Sequence, residues 1–185
     1  MPDSELQRSG FYDAGPLKQV AVNLFYGWGY NFYRQENQLR ADDQLVREKA
    51  AWLLGLAHQS VDAAEGACRR ERLPEPSRAH PFPDPDAVRD ARALEQLGKA
   101  IGALVTRLHA LPVPGNDRMT QRYRNEADTL RALGACDEQL IGKCDLLRSS
   151  VETRPYDWLL QNQAALTQGL QSIEQTLQER QSLIV

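Results

Sequence analysis

Residues 94–111 read LEQLGKAIGALVTRLHAL. Leu94, Ile101 and Leu108 recur every seven positions, and Leu97, Leu104 and Leu111 repeat that spacing three positions later. On a helix of 3.6 residues per turn the two rows merge into one apolar stripe. A stripe that long must be buried against other helices. The stretch therefore sets the expected fold class: all-α, an elongated up-and-down bundle of four to five long helices joined by a proline-rich crossover.

Working outward, Asp84 followed by Pro85 has the form of an N-cap with proline at the first helical position. Pro112, Pro114 and Gly115 close the helix at its other end. Upstream lies LPEPSRAHPFPDPD, residues 73–86, whose five prolines exclude a helix. At about 3.1 Å per residue such a segment reaches roughly 40 Å. It could cross a bundle lengthwise, so the next helix need not be antiparallel to the last. Before it, a helical pattern covers about 31–72, with Leu39, Val46, Leu53, Ser60 or Val61, Ala64 and Cys68 on one face. Leu45, Trp52 and Leu56 are expected to widen that buried face.

Downstream, a helix over about 117–151 carries Met119, Tyr123, Ala127, Leu130, Leu133, Leu140, Cys144, Leu147 and Val151. Glu126 and Asp137 intrude on its apolar stripe. Pro155 starts a last helix, about 155–182, with Leu159, Leu166 and Ile173 in one row and Leu170, Leu177 and Ile184 in the next. The chain reads as one domain, 1–185, with residues 1–13 expected to be flexible and a first helical pattern after Pro16.

Residues 24–33, LFYGWGYNFY, hold six of the 13 aromatic residues of the chain. Read as a strand, Tyr26, Trp28, Tyr30 and Phe32 would share a face, but a strand needs a partner and the sequence offers none. Read as a helix, Phe25, Trp28 and Phe32 form one stripe, and Tyr26, Tyr30 and Tyr33 a second. The helical reading is preferred, with a distortion near Gly27 and Gly29. The tyrosine stripe, with Trp28, Arg34 and Asn37, has the composition of a binding surface for a partner or ligand. Arg118, Arg122 and Arg124 form a second candidate, an anion patch at the start of the fourth helix.

The 185 residues carry a net charge of −3, which disfavours a nucleic-acid role. No apolar run approaches the roughly 20 residues of a membrane span. The opening MPDSELQRSG lacks the apolar core of a signal peptide. Three cysteines, of which Cys136 and Cys144 are too far apart on one helix to pair, suit a reducing compartment. Cytoplasmic localisation is expected. His58, His80 and His109 lack the Glu three residues earlier that a di-metal bundle uses, and no zinc or phosphate-loop spacing occurs. No metal or cofactor is expected. His109 and Cys144 read as ordinary bundle residues rather than a catalytic pair.

The composition and spacing point to a non-enzymatic helical-bundle protein, working through a protein partner or as a homo-oligomer by way of the aromatic-rich surface. The alternative is a small-molecule binder or enzyme with an interhelical pocket of the same aromatics, Arg34, Asn37 and one of Glu126 or Asp137.

Overall fold

The computed structural model describes residues 39–78, 81–111 and 127–184. All regular structure among them is helical: α1, Leu39–Arg72; α2, Pro85–Ala110; α3, Ala127–Val151; α4, Tyr156–Gln161; α5, Gln163–Ile184. The all-α bundle expected from the leucine rows is present. Leu94, Ile101 and Leu108 are buried, as are Leu97 and Leu104 one row across. Leu159, Leu166 and Ile173 bury in the same core, together with Leu170 and Leu177. Fully burying one such side chain stabilises by roughly 1.5–3 kcal/mol, so these rows supply much of the driving force.

The 34 residues of α1 span about 51 Å. The proline-rich connection does not carry the chain across this length; α2 turns straight back along α1. Arg72 pairs with Asp90, Arg69 with Glu95, and at the far end Arg47 Nη1 donates to the Leu111 carbonyl at 2.8 Å. Asp84 caps α2 as expected: its side chain accepts from the Asp86 amide at 3.1 Å, and Pro85 follows in the first turn. Glycines on α2 let the antiparallel pair approach closely, and α1 also buries a row of alanines. Ala50, Ala57 and Ala64 recur every seven positions on α1, all buried. On α2, Gly98 lies against Val61, Asp62 and His58, and Gly102 against His58.

Helices α3 and α5 form a second antiparallel pair, in which Asp137 faces Arg180 and Lys143 faces Thr176. α3 runs in the direction of α1, because the turn beyond its end brings Tyr156 to Glu71, where the Tyr156 hydroxyl donates at 2.8 Å. Helix order is thus up, down, up, down, with α1 packed on α2 and α3, and α5 on α3 and α2. Arg107 of α2 meets Glu174 of α5 across the remaining side.

Two expectations require correction. The last helix is not continuous from Pro155: Asn162 breaks it, at φ −103° and ψ 11°. The Trp158 carbonyl accepts from both the Asn162 amide, at 3.1 Å, and the Asn162 side chain, at 2.9 Å, which fastens the end of α4. α4 becomes a short element across one end of the bundle, touching α1, α2 and α5. The second correction concerns α1. Leu45 and Trp52 do not widen its buried face; they are 44% and 50% exposed. The core side is made instead by Val46, Ala50, Leu53, Leu54, Ala57, Val61, Ala64 and Cys68. Leu45, Trp52 and the half-buried Leu56 lie about a third of a turn from the centre of that arc.

Between α3 and α4 the chain reverses at Thr153, whose φ is 56°. A left-handed residue is a common way to end a helix, and Pro155 two positions later prevents its resumption. A β-branched residue is strained there, at a cost of roughly 1–2 kcal/mol. Thr153→Gly should therefore raise the free energy of unfolding by up to about 1 kcal/mol in urea titrations, the added backbone entropy of glycine offsetting part of the relief.

Candidate functional site

Tyr26, Trp28, Tyr30, Tyr33, Arg34 and Asn37 all lie outside the described residues, as do Arg118, Arg122, Arg124 and Glu126. The choice between helix and strand for 24–33 lies there too. Of the residues singled out for a pocket, Asp137 is described. It is fully buried on α3 and accepts from Arg180 Nε of α5 at 2.5 Å. Nearly two turns along α3, Lys143 Nζ donates to Thr176 Oγ1 at 2.7 Å and to the Ser172 carbonyl at 3.3 Å. Desolvation lowers the Lys143 pKa, which Glu179 partly opposes. Asp137 therefore intrudes on the apolar stripe because a cation on the facing helix meets it.

The described surface is led by the outer flank of α1. Trp52 stands three residues after Lys49, on the same side of the helix. The Lys49 ammonium lies 3.9 Å from the centroid of the Trp52 ring. Lys49 itself is almost entirely covered, at 5% exposure. Burial lowers its pKa; Asp145 on α3 works the other way, and Arg148 adds to the lowering. Arg148 is itself held by Asp145 at 2.8 Å and by Glu152 at 2.7 Å. One face of the indole thus covers the ammonium, a cation–π attraction worth about 0.5–2 kcal/mol. Half of the Trp52 surface remains open to solvent, one heptad along from the exposed Leu45.

Sequence reasoning placed Trp52 in the core and passed over Lys49. The signal that could have found them is the spacing Leu45–Lys49–Trp52, which sets a cation between two large apolar groups on one flank.

Three further groups have simpler roles. His58 Nδ1 pairs with Asp62 at 2.9 Å on the side of α1 facing Gly98 and Gly102, whose missing side chains leave it space. Cys144 is fully buried and its thiol is pushed far above the ordinary value by desolvation. It is therefore no thiolate nucleophile, while His109 is exposed at the end of α2. Among the described residues no group of three or more His, Cys, Asp or Glu side chains could hold a metal ion. No helix among them is long and apolar enough to cross a membrane. Comparison of the chain with models of protein families, with curated proteins and with solved structures returns no match in any of the three.

Two outcomes test these assignments. Asp137→Ala or Arg180→Ala alone should cost about 3–5 kcal/mol of stability, because each leaves a buried charge behind. Replacing both by apolar residues, Asp137→Leu with Arg180→Met, should cost far less than the sum of the two in denaturant titrations. The Cys144 thiol makes alkaline pH destabilising. Its raised folded pKa means that the native state keeps a proton which the unfolded chain releases above the ordinary value of 9.0. Its contribution is complete below that pH and is lost as pH rises beyond it, by about 1.4 kcal/mol per pH unit. Cys144→Ala should flatten the decline of stability between pH 9 and 10.5 by about that slope.

Proposed function

We propose that this chain is a non-enzymatic helical-bundle protein that acts through protein contacts, in the first place self-association, made by an aromatic-rich surface. The supporting observation is Trp52, a large aromatic half open to solvent at mid-helix, one heptad from an exposed leucine on the same flank. Tryptophan and tyrosine are enriched in the central, energetically dominant parts of protein interfaces, and exposed tryptophan is uncommon elsewhere. α1 is also the helix into which the sequence 24–37 leads, with Tyr26, Trp28, Tyr30, Tyr33, Arg34 and Asn37. The surface in this reading combines those residues with Leu45 and Trp52.

Light scattering over a range of concentrations tests the reading. The wild type should have an oligomeric mass, and both Trp52→Ala and the pair Tyr30→Ala, Tyr33→Ala should shift it toward the monomer, with dissociation constants at least about tenfold weaker. One monomeric mass for all three proteins would exclude self-association.

A further inference from the structure

We draw no further inference here: the strongest candidate, the open concavity on the outer face of α2 lined by Pro85, Val88, Arg89, Arg92, Ala93 and Gln96, is walled by one helix only, and nothing in the structure shows what covers it.

Discussion

Close packing of α1 against α2 governs this bundle. Gly98 and Gly102 of α2 lie directly against His58, Val61 and Asp62 of α1, where a side chain on either glycine would crowd its neighbours. Such a seam fixes more than a distance. Two helices meeting at glycines have one azimuth in which the glycines face those neighbours, so the rotation of α1 about its own axis is set. Leu53, Leu54 and Val61 then turn into the core, and Leu45 and Trp52 are carried to the outside. The exposed indole is thus a consequence of where the glycines lie, and the surface on which the functional reading rests is fixed by a contact on another side of the same helix.

The polar interior follows a related logic. Arg47, Lys49, Asp137, Thr176 and Arg180 are all buried, and all lie toward the end at which α1 and α3 begin and α5 ends. The opposite half holds no buried charge among the described residues: its buried polar residues, Ser150 and Asn162, each donate to a carbonyl four residues earlier, and apolar side chains fill the rest. A leucine row tolerates sliding by a heptad at little cost, whereas a buried carboxylate facing one guanidinium does not. In this bundle the apolar rows supply adhesion and the Asp137–Arg180 pair selects the register of α3 against α5.

Much of this was legible in the sequence. The rows through Leu94 and Leu159 gave helix class, approximate boundaries and core membership, because strict seven-residue spacing has one physical interpretation. The Asp84–Pro85 start of α2 was equally plain. What could not be read was orientation. Around α1, large apolar residues at 45, 52 and 56 and small ones at 50 and 57 suggest two different buried faces. Hydrophobicity alone favours the larger, but close approach selects the smaller. The break at Asn162 was hidden because asparagine is only mildly unfavourable inside a helix, so its presence alone marks no boundary. Asp137 showed as an irregularity, but its partner Arg180 is 43 residues away and only the fold brings them together. The tyrosine stripe and the Arg118 cluster belong to segments outside the described residues, so the structure adds nothing to what their composition suggests.

The short helix α4 has a mechanical consequence. It lies across the end where α1 stops and α2 and α5 start, in contact with all three, and Tyr156 reaches Glu71 from it. Four long rods are therefore fastened together at one extremity, like the ribs of a fan at its rivet. Any splaying of the two hairpins must pivot there, so the polar half of the interior would be wetted before the leucine half.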